Sequence, residues 1–144
     1  MKRIVEAFCF FLAIYGGVHA IPASWLWYDV DYVAVQSGSA QPLQIEFSRQ
    51  VKRDFRGAYS VVVRTDATVV CDASGGPFTY KGGSRGPKVV DMKWWAPSDP
   101  RCVDLPADTP LTMETCWTVL EPFWGWWPSK RLCVASDPFE VTGD

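Results

Sequence analysis

Apolar and polar side chains alternate along several segments of this chain, which is the signature of strands with one buried face. The clearest segments are LQIEFSR, AYSVVVRT, KVVDMKWW and LTMETCWTVL, which begin at residues 43, 58, 88 and 111. Their inward faces are predicted to carry Leu43, Ile45, Phe47, Tyr59, Val61, Val63, Val90, Met92, Trp94, Leu111, Met113, Thr115, Trp117 and Val119. Further strands are predicted at residues 28–36, 68–71, 130–135 and 139–142.

Glycine and proline separate these segments and make long helices unfavourable. SGSAQP, from residue 37, ASGGPFTYKGGSRGPK, from residue 73, and APSDPRCVDLPADTP, from residue 96, are predicted to be loops. The pattern predicts an all-β fold, an antiparallel immunoglobulin-like β-sandwich of about seven or eight strands. The comparison concerns architecture alone, because Glu114 stands two residues before Cys116, where immunoglobulin domains carry a tyrosine.

The N-terminal segment, residues 1–20, predicts export. Lys2 and Arg3 precede an apolar run over residues 8–15, and residues 18–20 (Val-His-Ala) offer the small side chains of a signal-peptidase site. This reading makes the segment a signal peptide. Residues 21–144 then form a single disulfide-braced domain.

The alternative is an uncleaved membrane anchor over residues 4–21. Its length of about 18 residues barely spans the hydrocarbon core of a bilayer. Glu6, Gly16 and Gly17 weaken this alternative because a charge and two glycines interrupt the apolar run. The residues that would form an interfacial aromatic belt beside a retained anchor are Trp25, Trp27 and Tyr28. Both readings export the rest of the chain.

Four cysteines follow this segment, and an oxidising compartment favours two disulfides. The predicted pairs are Cys116–Cys133 and Cys71–Cys102, although the two other pairings of four cysteines stay open. No C-x-x-C pair with metal-ligand spacing occurs, so we expect no metal.

Pairing Cys116 with Cys133 fixes the register of an antiparallel hairpin. Trp117 then faces Leu132, so the inward apolar positions of the two strands meet, as a hairpin with one buried face requires. The neighbouring facing pairs are Thr118–Arg131 and Thr115–Val134.

The apex of this hairpin, residues 121–128 (EPFWGWWP), is called the tryptophan tip below. Pro122 and Pro128 end the strand pairing because neither has a backbone N–H to donate. The candidate binding residues are Phe123, Trp124, Trp126 and Trp127. So many rings cannot all reach one core from eight residues. Either two fold back as a lid, or at least one is exposed and contacts a partner protein, a sugar ring or a lipid interface.

Strand alternation also divides the pair Trp94-Trp95 between two faces. Trp94 shares its face with Val90 and Met92, and it is predicted to lie in the core. Trp95 is expected to point outward or to lie under the proline-rich loop.

Residue types that carry catalysis are scarce. The sole histidine, His19, lies in the leader, and the cysteines are expected to be in bridges, so no histidine triad or thiolate nucleophile is predicted. The carboxylates Asp91, Glu114 and Glu121 have spacings that define no hydrolase pair. A net charge of −2 gives no electrostatic reason to expect nucleic acid or an anionic membrane as partner. We expect no enzyme, no cofactor and no nucleic acid.

Several motifs occur in a recognisable order: WLWYDVDYVAV, FRGAYSVVVR, VCDASGG, DMKWW and a final CWTV…CV hairpin. In this order the chain resembles the small exported β-sandwich proteins that tailed phages and prophages of Gram-negative bacteria encode. The resemblance implies a protein of the bacterial envelope, periplasmic or anchored to the inner membrane and facing the periplasm. It carries over no functional residue.

The leading hypothesis is a non-enzymatic interaction or accessory module of the bacterial envelope that uses the tryptophan tip. The alternatives are a structural component of a virion or envelope assembly, a protein that perturbs a membrane interface, and a glycan-binding module. The partner is accordingly a protein, a glycan or the membrane interface.

Overall fold

A computed structural model describes residues 2–36, 43–66 and 68–142 of the protein, so the loop predicted at 37–42 lies outside the described residues. Two helices, α1 and α2, precede seven strands, and a third helical turn, α3, and a 3₁₀ turn lie between β5 and β6. The helices are α1 Lys2–Ala20, α2 Ala23–Leu26 and α3 Met92–Trp95, and the 3₁₀ turn is Pro100–Cys102. The strands are β1 Tyr28–Val35, β2 Gln44–Val51, β3 Phe55–Arg64, β4 Val69–Tyr80, β5 Arg85–Asp91, β6 Thr112–Leu120 and β7 Lys130–Ala135.

The strands form two antiparallel sheets, which confirms the predicted β-sandwich. One sheet has the order β1-β2-β5 and the other β4-β3-β6-β7. The apolar faces assigned from alternation meet between the sheets, because Ile45, Val61, Val63 and Met113 are all fully buried. The period-two pattern therefore identified the core of both sheets.

The predicted hairpin register is confirmed. Cys116 faces Cys133, Trp117 faces Leu132, and the flanking pairs are Thr118–Arg131 and Thr115–Val134. Both predicted disulfides, Cys116–Cys133 and Cys71–Cys102, are present. The second bridge joins β4 to the 3₁₀ turn and so holds the long proline-rich connection against the sheet edge.

The prediction of a short strand at 68–71 followed by a glycine-rich loop is wrong. β4 continues through the glycines to Tyr80 and pairs with β3. The reason is steric: a Cβ at Gly75 would stand 2.6 Å from the ring of Tyr59, which faces Gly75 across the strand pair. Glycine is used here to make room for an aromatic ring within a strand.

The assignment of Trp94 to the core is also wrong, and so is the outward alternative for Trp95, because Trp95 is the buried ring of the pair. Trp94 is 79% exposed, whereas Trp95 is 6% exposed and packs on Phe47 with 4.7 Å between ring centroids. The strand ends at Asp91, whose Oδ1 accepts a hydrogen bond from the Lys93 backbone N–H at 2.9 Å and caps the turn of α3. Helical geometry replaces the alternation from Met92 onward.

The predicted strand at 139–142 is reduced to one bridge between Leu111 and Phe139. Pro110 and Pro138 each precede a bridging residue and have no N–H to extend the pairing. The segment nevertheless closes the core, since Phe139 and Val141 are buried.

The sandwich has two distinct ends. α1 and α2 enter beside Tyr28, which pairs with Val51, and the same end carries the connections at residues 52–54 and 81–84 and the tryptophan tip. We call this the helix end. The opposite end carries α3, the 3₁₀ turn and the β3–β4 connection.

Candidate interaction site

The tryptophan tip adopts a compact loop with unusual backbone conformations. Glu121, Phe123 and Trp124 have φ values of 44°, 51° and 57°, and Gly125 has 83°. Non-glycine residues rarely adopt the left-handed region, and each such residue costs free energy that the surroundings must offset. The loop closes on itself through backbone hydrogen bonds, among them Trp127 N–H to the Pro122 carbonyl at 3.3 Å.

The four aromatic residues of the tip divide into two pairs. Phe123 and Trp127 fold back onto Trp27, with ring centroids 5.5 and 6.2 Å away. Trp124 and Trp126 point into solvent and are 91% and 90% exposed. The tip is thus a partial lid and an exposed surface at once.

Trp27 links the tip to the entry of the chain. It is 2% exposed, and it lies directly after α2. The expected aromatic belt of Trp25, Trp27 and Tyr28 is therefore corrected: Trp27 and Tyr28 are core residues, and Trp25, which is 69% exposed, alone remains at the surface. No pattern in the sequence indicated that Trp27 would pack beneath the tip.

Lys130, a residue that sequence reasoning missed, joins the domain to α1. Its ammonium donates to the backbone carbonyls of Val18 and His19 at 2.8 and 2.9 Å, and the residue is 8% exposed. These carbonyls belong to the last turn of α1, where carbonyl groups have no partner within the helix. A cation at this position also interacts favourably with the helix dipole.

The connection at residues 52–54, which carries Lys52 and Arg53, contacts both α2 and the tryptophan tip. The side chains of this connection between β2 and β3 are exposed. Lys52 nevertheless donates its ammonium to the Ser24 carbonyl at 2.6 Å, and the Arg53 guanidinium lies 5.5 Å from the Phe123 ring centroid. A cavity of about 480 Å³ opens between this connection and the tip.

Asp54 ties the two neighbouring connections of the helix end together. Its carboxylate accepts hydrogen bonds from the Gly82 N–H at 2.8 Å and the Lys81 ammonium at 3.1 Å. The Gly82 N–H, and then Lys81, hold the pKa of Asp54 below its ordinary value. These contacts hold the connection at residues 52–54 against the one at residues 81–84.

Charge is unevenly distributed between the two ends of the sandwich. At the helix end the cations are Lys52, Arg53, Arg56, Lys81, Arg85 and Lys130, and the carboxylates are Asp29, Asp54 and Glu121. At the opposite end the carboxylates are Asp66, Asp91, Asp99, Asp104, Asp108, Asp137 and Glu140, and the cations are Arg64, Lys93 and Arg101. The low net charge therefore conceals a basic end beside α1 and an acidic end away from it.

α1 itself makes a membrane-spanning candidate by length and composition. It has 19 residues with a mean hydropathy of 1.3, and none of its residues is buried in the protein. The helix, together with the two disulfides, is consistent with export. Cys9 is the free cysteine of this helix and is exposed.

Catalytic or metal-binding chemistry finds little support among the described residues. The cluster of metal-ligating types there is Glu114 with Cys116 and Cys133, and both sulfur atoms are already joined in a disulfide. Asp91 caps α3, and Glu121 begins the tip, so the carboxylates weighed above lie in separate parts of the fold.

No protein-family model and no curated protein matches this chain. The resemblance to exported phage and prophage proteins therefore stays a prediction.

Proposed function

We propose that this protein is a non-enzymatic interaction module of the bacterial envelope, held at the membrane by an uncleaved α1, with its tryptophan tip in the membrane interface. The observation that carries this proposal is the position of the exposed rings. Trp124 and Trp126 lie on a loop that packs, through Phe123, on Trp27, seven residues after the end of α1. In a bilayer that contains α1, this loop would be the part of the domain nearest to the membrane surface.

The chemistry of the exposed rings suits that place. Tryptophan is enriched at membrane–water interfaces, where its apolar body and polar N–H face different media. Trp25 is exposed near the same junction and adds a third ring. Three large exposed rings near the end of one apolar helix have no evident folding role.

The contacts of Lys130 favour retention of α1. Cleavage after Ala20 would remove the Val18 and His19 carbonyls and leave a nearly buried ammonium without these acceptors. It would also create a second ammonium, at Ile21, close to the first. Burying a charge without partners is unfavourable. The folded domain should therefore be more stable when α1 stays attached.

The basic helix end adds an electrostatic contribution. Each lysine or arginine near an anionic lipid surface contributes about 1 kcal/mol of attraction, and Arg53 and Arg56 line the cavity beside the tip. The acidic opposite end would face away from the bilayer. The exposed rings would also suit a sugar ring or another subunit, but those alternatives make no use of the nearby helix.

The first test is whether α1 is retained. Protein expressed in a Gram-negative bacterium should be found in the membrane fraction, resist extraction with carbonate, and have the intact mass of the chain that still contains α1. Ala20→Phe is the matched control, because a large residue at the predicted cut blocks signal peptidase. Wild type and variant should show the same unprocessed length. A soluble periplasmic chain that begins at Ile21 would refute the anchored form of the proposal.

A further inference from the structure

The flank of the sandwich between β4 and β5 is open, and a cleft of about 480 Å³ enters the core there. β4 and β5 are edge strands of different sheets, so no ladder closes this side. The cleft's volume lies within the range of about 300–1,000 Å³ typical of small-molecule sites. Its aromatic lining comprises Phe47, Tyr59, Phe78, Tyr80, Trp95 and Trp117.

Several of these rings form one continuous wall. Tyr59 stacks on Trp95 with centroids 5.2 Å apart, and Phe78 stacks on Tyr59 at 6.0 Å. Phe78 is 49% exposed, so the outer end of the wall is open to solvent. The exposed ring of Phe78, at the outer end of this row, is available for stacking with a ring-shaped ligand.

The charged side chains that line the cleft are all basic. They are Arg49, Lys81 and Lys88, and no carboxylate lines it. Lys81 is paired with Asp54, whereas Arg49 and Lys88 have no carboxylate within salt-bridge distance in the part of the chain that the structure describes. Burial raises the pKa of Tyr80 to about 12, so this phenol is neutral at neutral pH and adds no negative charge.

The Nε of Arg49 and the Nε1 of Trp95 are buried donors without an acceptor among the described atoms, while the Arg49 guanidinium also interacts with the Tyr28 hydroxyl. The Arg49 guanidinium lies 5.4 Å from the Phe47 centroid and 5.2 Å from the Tyr80 centroid, and its Nε has no hydrogen-bond acceptor among the described atoms. Trp95 is more than nine-tenths buried, and its Nε1 likewise has no acceptor there. Buried donors without acceptors are rare in folded proteins and call for an explanation.

The edges of the cleft do not favour a polypeptide as the occupant. Pro77 lies on β4 and Pro87 on β5, and each removes an N–H that an added strand would need. A strand of a partner or of a second copy would therefore find interrupted pairing on both edges. A small ligand has no such requirement.

We propose that this cleft binds a small organic anion, a carboxylate or phosphate borne on a flat ring. The anionic group would lie between Arg49 and Lys88, and the ring would stack on the wall of Tyr59 and Phe78. The proposal is independent of the tryptophan tip, which lies at the end of the sandwich and shares no lining residue with the cleft.

The test titrates four probes into the full chain in detergent micelles, with backbone amide shifts as the readout. The probes are 4-hydroxybenzoate (an aromatic carboxylate), phenyl phosphate (an aromatic phosphate), inorganic phosphate (an anion without a ring) and benzyl alcohol (a ring without charge). At least one ring-bearing acid should bind more tightly than both phosphate and benzyl alcohol and shift amides of β4 and β5. Which acid binds more tightly identifies the anionic group.

Lys88→Ala and Lys93→Ala form the matched pair, because both lysines are exposed and only Lys88 lines the cleft. Loss of a charge-assisted contact should weaken the acid at least about fivefold in Lys88→Ala and leave its affinity unchanged in Lys93→Ala. Phe78→Ser should weaken it as well, through the lost ring contact. Equal affinities in both lysine variants, or no acid binding more tightly than phosphate and benzyl alcohol, would overturn the proposal.

Discussion

At the scale of single residues, the tryptophans of this chain perform different tasks that their sequence neighbourhoods do not reveal. Trp117 is 2% exposed and contacts Tyr28 at 5.3 Å and Trp95 at 6.0 Å between centroids. Trp124 stands one residue from Phe123 yet is 91% exposed. Truncation should therefore have opposite consequences at the two positions.

Trp117→Ala should destabilise the domain severely. Replacing a buried tryptophan by alanine removes apolar contacts and leaves a cavity, at a cost of about 3–5 kcal/mol in the free energy of unfolding. The measurement is denaturant unfolding of the full chain in detergent micelles, followed by circular dichroism. A loss below about 1 kcal/mol, the scale of surface changes, would mean that the two sheets do not meet around this ring.

Within the tip, Trp124→Ser and Trp127→Ser should differ in the same assay. The Trp124 ring is almost fully exposed, so its loss should cost less than about 1 kcal/mol. Trp127 packs on Trp27 and Phe123, so its loss should cost at least about 2 kcal/mol. Equal and large losses would show that the whole tip is a core lid.

The pair Trp94-Trp95 shows why single residues resist prediction. Strand alternation put Trp94 inside, but the Asp91 side chain accepts the Lys93 N–H and turns the chain into α3, which exchanges the two rings. A capping aspartate is a weak sequence signal beside a run of alternating residues. The burial of Trp95 instead of Trp94 depends on this one hydrogen bond, which the pattern of apolar residues does not indicate.

At the scale of elements, the β6–β7 hairpin was predictable and β4 was not. One disulfide hypothesis fixed the hairpin register, because a slip by one residue would turn Trp117 away from the core. β4 contains glycines that normally end strands, and the reason for Gly75 is the ring of Tyr59 on the neighbouring strand. The sequence alone does not show that Gly75 faces Tyr59, because this depends on how β3 and β4 pair.

The connection held by the Cys71–Cys102 disulfide should be sensitive to acid through Asp99. This buried carboxylate accepts hydrogen bonds from the Arg101 guanidinium at 2.7 Å and the Asp72 N–H at 3.0 Å. Arg101, and then the Asp72 N–H, hold the pKa of Asp99 well below its ordinary value. The depressed pKa means that this stabilisation is complete above the unfolded-state value of about 3.9 and is lost as the pH falls further.

Asp99→Asn should therefore reduce stability more at pH 7 than at pH 3. The asparagine cannot carry the charge that Arg101 stabilises at neutral pH, whereas at low pH the wild type loses part of the same stabilisation. Denaturant unfolding at the two pH values measures the difference, and Asp137→Asn, at an exposed position, is the control. A penalty for Asp99→Asn that is independent of pH would contradict the role of the charged pair.

At the scale of the whole molecule, the interpretation of the tryptophan tip depends on its position at the same end of the sandwich as α1. The sequence predicted an apolar leader and an aromatic hairpin apex, but no pattern could place them at one end of the sandwich. The strand order and the contact of Phe123 with Trp27 bring them together. The basic end beside α1 could not be predicted either, because the net charge sums the charges of both ends.

The central claim is that the exposed tip rings lie in the membrane interface. The most direct measurement is tryptophan fluorescence of the full chain in bilayers of phosphatidylethanolamine and phosphatidylglycerol that carry bromine near the top of the acyl chains, since bromine quenches only nearby rings. Trp94→Ser, an exposed ring at the opposite end, should leave the quenched signal unchanged. The double variant Trp124→Ser/Trp126→Ser should lose most of it and keep the smaller contributions of Trp25 and of the partly buried Trp127. Equal quenching in wild type and in both variants would contradict the account.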